Sequence, residues 1–291
     1  MVADREKPQE LDRLISAYTS NEGAGITNVE QGLWGSHHGE LAIAAVGLAR
    51  RFNGYESLDP GLTREVYDVI SDQPISSGYP RIYTMFHDCT TLEEVRAKLD
   101  VMKRLSQGQP VRLESDAFPF RAFDFGERYP VDFKEGSYEA QWGFGIQLSD
   151  RSYPYAGKEL MAVEGRLHTH TNVLNIQGGR HKADLVQDFK DRFGIHPANL
   201  LLLMYLRIGQ ILGHDRVEIA GKTDREYNRR EVESTLYDIP RNYFRLRIDP
   251  ETGRYRFDGA TRDRILEKFL GKAPFLAEAF GKLDAYLASS R

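Results

Sequence analysis

Two histidines separated by one residue are the first feature of this sequence that could do chemistry. His168 and His170 lie in a β-rich stretch, and residues i and i+2 of a strand point to the same face. Glu164, four residues before His168, would lie on that face as well. One of these histidines, or Glu164, could act as a general base that deprotonates an amine. The same three side chains could instead hold a transition metal, or form an ordinary polar sheet face.

A glycine pair beside basic residues is the second candidate site. It follows a predicted strand and opens a predicted helix, and it consists of Gln177, Gly178, Gly179, Arg180, His181 and Lys182. The first N–H groups of a helix have no partners within the helix, and glycines allow a ligand to approach the backbone closely. Arg180 and Lys182 would add cationic donors. The segment therefore predicts a phosphate-binding site, although a plain strand-to-helix turn could have the same composition.

Four arginines near the end of the sequence could form a cationic surface. Residues 243–248 and 254–257 are predicted to form a hairpin around a turn at 249–253. Arg245 and Arg247 would share one face of the first strand, with Arg254 and Arg256 beside them on the return strand. Such a surface would suit a phosphorylated or acidic partner, such as coenzyme A (CoA) or an acyl carrier protein. A solvated outer face balanced by nearby acids is the alternative.

The elements that must position these residues divide the chain into two parts. Residues 1–110 predict a mainly helical lobe, and residues 111–291 predict an α/β body. In the body, four β-rich segments come first, at 111–114, 138–148, 159–165 and 167–176. Two helices follow at 182–193 and 198–213, and then a strand at 216–220. The helix at 198–213 is apolar almost all round, so we expect it to be buried. The fold class expected is therefore α/β, with a mixed, mostly antiparallel sheet containing one parallel pair.

Bulk properties narrow the classes of function. The chain has 291 residues, a formal net charge of −4 and one cysteine. This charge gives no sign of a nucleic-acid partner, and no apolar run approaches the ~20 residues of a membrane span. The charged first residues do not resemble a secretory signal, and a single cysteine fits a reducing compartment. We therefore expect a cytoplasmic protein without a membrane span.

Between Gln141 and about Phe257 the sequence resembles the bacterial VirK/YbjX family. The residues that carry the resemblance lie in three segments, at 173–179, 196–203 and 211–221. In that family a strand ending in Gln-Gly precedes a Pro-led, leucine-rich helix, a glycine turn and a strand. The stretch that follows, 222–227, lacks the family's usual histidine. The resemblance implies a role in envelope stress and in resistance to cationic peptides.

The same order of elements is similar to the acyl-CoA-binding half of the GNAT acyltransferases. That similarity implies a GNAT-like body that binds acyl-CoA or an acyl carrier protein thioester, with the donor phosphate at Gln177–Lys182. His168, His170 or Glu164 would be the base, and Tyr227 could be a general acid. The acceptor would be a small-molecule or peptide amine. Two alternatives remain open: a non-catalytic envelope-stress accessory protein, and a metal-dependent oxygenase using His168 and His170, although we expect no metal.

Overall fold

The chain forms two compact units, Met1–Asp116 and Ala117–Arg291. The computed structural model describes most of both units. The described residues are 9–20, 23–55, 57–72, 75–76, 85–86, 88–107, 111–112, 120–125, 128–135, 144–151, 159–178, 183–221 and 244–289. All statements about structure below concern these residues.

The first unit is mainly helical. Its helices are α1 (Gln9–Thr19), α2 (Gly23–Leu33), α3 (His37–Phe52), α4 (Pro60–Ser71) and α5 (Leu92–Leu105). Two short strands, β1 (Ile75–Ser76) and β2 (Val111–Arg112), pair in parallel. The central helix α3 is rich in small apolar residues, so α1, α2 and α4 pack closely around it.

Polar side chains fix where these helices begin. Ser36 accepts a hydrogen bond from the Gly39 N–H, and Asp59 accepts bonds from the first turn of α4. Thr91 accepts a bond from the Glu94 N–H at 3.2 Å. Each bond satisfies an N–H group that has no partner within its helix. Thr91 therefore marks the start of α5.

In the described part of the second unit, seven strands form one sheet. Its strands lie in the order of the sequence: β3 (Phe120–Phe125), β4 (Tyr129–Glu135), β5 (Phe144–Ser149), β6 (Glu159–Leu167), β7 (Thr171–Gly178), β8 (Arg216–Ala220) and β9 (Arg254–Asp258). All neighbouring pairs are antiparallel except β7 and β8, which are parallel. The mixed, mostly antiparallel sheet and the α/β class predicted from the sequence are confirmed.

Among the described residues of this unit there are also four helices: α6 (Ala183–Phe193), α7 (Pro197–Ile211), α8 (Gly259–Leu270) and α9 (Pro274–Ala288). The helix α7 packs on β5, β6 and β7, and its residues from Leu200 to Leu206 are completely buried. The predicted buried helix is therefore confirmed, and Ile211 at its end is half-buried. In the described part of the chain, no helix has the length and apolarity needed to cross a membrane.

Some elements of the fold were not predicted. The helix α2 and the strands β3 and β4 fall in stretches that the sequence patterns left unassigned. In β4, Tyr129, Val131 and Phe133 alternate as they would in a strand. Pro130 lies between them and argues against a strand. The strand β3 shifts its register between Arg121 and Phe123, and such a bulge breaks the period-two pattern.

Candidate functional site

The histidine pair lies in a turn, and its predicted position on one strand is wrong. Leu167 pairs with Thr171, so the three residues 168–170 are the whole loop of the β6–β7 hairpin. His168 is buried and His170 half-buried, and their ring centroids are 5.3 Å apart with the rings nearly perpendicular. Strand alternation therefore does not orient the two imidazoles. Glu164 stays on β6, roughly 10 Å along the strand from the start of the turn.

The turn is also far from the predicted donor site. The strand β7 begins at Thr171 and ends at Gly178, so about 23 Å of extended chain separates its two ends. The histidines lie at the first end and the glycine pair at the other. His168 and His170 are therefore poorly placed to act on a donor held at the end of β7. Within the described residues, no group of three or more His, Cys, Asp or Glu side chains could hold a metal ion.

The glycine-rich segment is described only at its borders. Gln177 is half-buried and Gly178 is exposed at the end of β7, and α6 begins at Ala183. Gly179, Arg180, His181 and Lys182 lie outside the described residues, as does Tyr227. The predicted order of strand, connection and helix is present around them.

The helix α7 runs antiparallel to β7. Gly209 lies against Thr171 at the start of β7, because an added Cβ would meet the Thr171 hydroxyl at 1.9 Å. One turn earlier, the Tyr205 hydroxyl lies over Gly165, whose partner on β7 is Val173. Burial raises the pKa of Tyr205 well above its usual value, so this hydroxyl stays neutral and donates to the Phe144 carbonyl at 3.2 Å. The first turn of α7 therefore points toward the end of the sheet where β7 ends.

The parallel strands β7 and β8 part in the middle of the sheet. They pair only through Thr171–Val173 and Val217–Ile219, whereas β7 continues to pair with β6 as far as Gly178. A β-bulge lies where the strands part, because Val173 pairs with Gly165 and Asn175 pairs with Glu164, which leaves Leu174 as an extra residue. Beyond Val173, β7 has no described partner on its β8 side, and an unpaired edge presents N–H and C=O groups to a ligand.

The bulge also concentrates polar side chains on one face of the sheet. Asn172 and Asn175 would face opposite sides of a regular strand, but the extra residue places both on the side of Glu164. We call this side the polar face; it carries Glu164, Arg166, Asn172, Asn175, Glu218 and Arg256. The opposite face carries apolar side chains such as Val217 and Ile219. The sequence patterns missed this grouping, since alternation alone puts Asn172 and Asn175 apart.

Glu164 is a buried carboxylate beside the parting of the strands, opposite Asn175 on β7. Its side chain is completely buried, and Asn175 Nδ2 lies 3.4 Å from its Oε2, a long hydrogen bond. Its partner on β5 is Gly145, which has no side chain. Asn175 is only three residues from the end of β7, so Glu164 lies roughly 10 Å along the strand from the glycine pair. Of the predicted bases in the described chain, Glu164 is the one closest to the predicted donor site.

A second buried carboxylate, Glu218 on β8, collects three arginines. Arg254 Nη1 lies 3.0 Å from Glu218 Oε2, Arg256 Nε lies 3.2 Å from Oε1, and Arg216 also donates to Oε1. Burial alone would raise the pKa of Glu218, but the bonds from Arg216 and Arg254 outweigh it and lower this pKa below its usual value. Glu218 is therefore ionised at neutral pH and holds three guanidinium groups together.

This arrangement corrects the predicted arginine surface. The strand β9 pairs with β8, and the first strand of the predicted hairpin is reduced to a single bridge between Ile248 and Tyr255. Arg245 has a φ of 56°, which extended backbone does not allow, so Arg245 and Arg247 do not alternate on a strand. Arg254 and Arg256 instead join Arg216, a residue that the sequence analysis did not single out.

A buried histidine on the other face of the sheet braces the hairpin turn. His214 Nε2 donates to the His168 carbonyl at 2.8 Å, and its Nδ1 accepts from the Thr171 hydroxyl at 3.0 Å. Arg262 donates to the His214 carbonyl. Burial lowers the pKa of His214 to about 4, although the bond to the His168 carbonyl opposes this shift. His214 is therefore neutral at pH 7. Its proton is on Nε2, and the bond from Nε2 to the His168 carbonyl holds the turn.

The single cysteine lies in the first unit and has the properties of a core residue. Cys89 is completely buried, and burial raises the pKa of its thiol to about 12. The neighbouring ion pair between Lys98 and Asp88, at 2.8 Å, is completely buried too. A thiol that is protonated and inaccessible at pH 7 is a poor nucleophile.

Comparison with known proteins found no relative of this chain. None of the protein-family models, curated proteins or solved structures with which the chain was compared matches it.

Proposed function

We propose that this chain is an acyltransferase with a GNAT-like body, which moves an acyl group from a CoA or acyl carrier protein thioester to an amine. The observation that carries the proposal is the parting of β7 and β8 at the bulge, with Glu164 buried beside it. The segment resembling the VirK/YbjX family supplies β7, α7 and β8, and we carry that resemblance into the proposal.

The edge of β7 beyond Val173, which has no partner on its β8 side among the described residues, suits the donor. The pantetheine arm of CoA contains two amide groups, and amides can pair with an unpaired strand edge as an added strand does. The edge begins after Val173 and leads toward Gly178, where the donor phosphate would meet the predicted glycine-rich turn. The first turn of α7 points to the same end, and helix starts favour anions.

Glu164 would supply the base for the reaction. The amine nitrogen attacks the thioester carbonyl carbon, Glu164 takes a proton from that nitrogen, and the carbon–sulfur bond breaks. The thiolate then leaves and takes up a proton, so the products are an amide and a free thiol. Asn175, which donates to Glu164 Oε2, would hold the carboxylate in place. Backbone N–H groups of β7 beyond Val173 are the candidate donors to the oxygen that becomes negative during attack.

The test is release of free thiol when the purified protein is given acyl-CoA donors and a panel of amines. Glu164→Gln should lower kcat roughly 100-fold or more, because it removes the base while keeping the shape of the side chain. Its matched control is Glu278→Gln on α9, an exposed carboxylate that pairs only with Lys282 in the described structure. Activity that Glu164→Gln leaves unchanged would remove Glu164 from the mechanism.

Absence of turnover with every donor would overturn the proposal itself. If the protein remained folded and still bound acyl-CoA in that experiment, the non-catalytic accessory role would take its place.

A further inference from the structure

Four neighbouring strands place one row of polar residues across the polar face. Arg166 on β6 pairs with Asn172 on β7, Asn172 with Glu218 on β8, and Glu218 with Arg256 on β9. Paired residues of a sheet share a face, so these side chains are successive neighbours. Arg216 joins the row through its bond to Glu218.

Asn172 is the unexplained member of the row. It is only 3% exposed, and its Oδ1 has no hydrogen-bond partner among the residues that the structure describes. A buried acceptor without a donor is unfavourable, and such groups are rare in folded proteins. The amide oxygen of Asn172 is therefore positioned for an N–H or O–H group that a ligand brings.

Arg216 and Arg256 have unused donors, which complement the acceptor on Asn172. Glu218 takes one guanidinium N–H from each, and Arg256 also approaches Asp249 at 3.6 Å. Each guanidinium has five N–H donors, so further donors remain on both. Their side chains are 58% and 42% exposed, which makes these donors accessible from solvent. Guanidinium pairs of this kind bind carboxylate or phosphate groups.

We infer that this row binds the amine acceptor as a molecule that carries both an amino group and an anionic group. The amine donates to Asn172 Oδ1, and the carboxylate or phosphate binds Arg216 and Arg256. Asn172 and Arg256 are two strands apart, so about 10 Å separates their backbones, and both arginines reach back over Glu218. A compact molecule, with its two charges a few bonds apart, fits this span.

The inference rests on the proposed function in naming this molecule as the acceptor. Asn172 is a diagonal cross-strand neighbour of Glu164, at about 7–8 Å between backbones, so an amine held by Asn172 lies within reach of the proposed base.

Calorimetric titration of the purified protein, without any acyl donor, tests the site. The probes are β-alanine and O-phosphoethanolamine, which carry both groups, and ethanolamine and inorganic phosphate, which carry one each. We expect the better of the first two to bind at least tenfold more tightly than either single-group probe, and its identity distinguishes carboxylate from phosphate. Equal affinities for all probes, or no binding by any, would overturn the inference.

Two variants locate the binding. Asn172→Leu and Arg216→Gln should each weaken binding of the better probe at least tenfold. Arg192→Gln on α6 is the control, because its side chain is 51% exposed and bonds to Asp188, away from the row. Asn172→Leu should fold normally, since it removes an acceptor that has no described partner; if it fails to fold, the amide is structural and the inference is wrong. Unchanged binding in Arg216→Gln would also contradict it.

The two proposals fail in different ways. Thiol release with simple amines, without binding of either two-group probe, overturns only the inference. Binding of a two-group probe, without transfer from any donor, leaves the site standing and overturns the proposed acyl transfer.

Discussion

Thr171 and Asn172 are adjacent on β7, but their side chains have opposite surroundings. Thr171 is completely buried and its hydroxyl donates to His214, which in turn holds the hairpin turn. Asn172, on the other face, is almost as deeply buried but its Oδ1 has no described partner. Both residues are buried and lie on the same strand, so the difference lies in the groups that surround each side chain.

The comparison separates a polar group that stabilises the fold from one that is available to a ligand. A satisfied buried network loses stability when any member is removed, because its partners are left unpaired. A buried acceptor without a partner has no such bond to lose. Substitutions on the two faces should therefore change the free energy of unfolding differently, and each of the following measurements can contradict this distinction.

Removal of His214 should have the largest effect. His214→Ala leaves the Thr171 hydroxyl and the His168 carbonyl without their partners and opens a cavity, so we expect a loss of about 4 kcal/mol of unfolding free energy. Urea denaturation at pH 7 measures it. His170→Ala, at the half-buried end of the same turn, serves as control and should cost less than about 1 kcal/mol. Similar losses for both variants would show that His214 does not hold the turn.

The pH dependence of stability should show the contribution of His214. The pKa of His214 is about 4 in the folded protein and about 6.5 when unfolded. Between these values the unfolded state binds more protons, so stability falls as the pH is lowered from about 6.5 to 4. The loss approaches roughly 3 kcal/mol. His214→Gln should lack this component, so its curve of stability against pH should be flatter than that of the wild type; parallel curves would contradict the assignment.

Close packing at Thr171 should give the next largest effect. An alanine at position 209 would place its Cβ 1.9 Å from the Thr171 hydroxyl, so we expect Gly209→Ala to cost about 2 kcal/mol. Gly281→Ala on α9 is the matched control, because nothing lies within 4 Å of its added Cβ. There alanine should stabilise the helix by about 0.5–1 kcal/mol. If Gly209→Ala is as stable as Gly281→Ala, α7 does not contact β7 as described.

The smallest effects come from two substitutions that keep the shape of the side chain. Thr171→Val leaves His214 Nδ1 without its donor and should cost about 1–2 kcal/mol. Asn172→Leu removes an acceptor that has no described partner and should change the unfolding free energy by less than about 0.5 kcal/mol. Thermal and urea denaturation of the pair measure the contrast between the faces directly. Equal costs would remove the distinction between Thr171 and Asn172.

Sequence patterns predicted the elements whose signals are local. The helix α7 follows from an unbroken apolar run behind His196 and Pro197, and its N-cap is the His196 side chain, which accepts from the Ala198 N–H. The strand β8 follows from its alternation and its position after a glycine turn. These features depend on neighbouring residues, which a single sequence displays.

The candidate site depends on features that are not local. The turn at 168–170 contains no glycine, proline or asparagine, so the sequence gives no sign that the histidines leave the strand. The bulge at Leu174 arises from pairing with β6 and places Asn172 and Asn175 on one face. Glu218 meets Arg254 and Arg256 only because β9 pairs with β8. Each of these facts depends on the register between paired strands, which the pattern of a single segment does not display.

The strand order also has a consequence for how the second unit assembles. The strands β3 to β7 pair with their neighbours in sequence, so their contacts close short loops and can form early. The strand β8 reaches β7 only after α6 and α7 have been placed between them, and its contact with β7 spans three residue pairs. The meander is therefore expected to form first and the β8–β9 ribbon to dock last. Amide hydrogens of β8 should exchange through opening of this edge, while those of β5 and β6 remain protected until the whole unit unfolds.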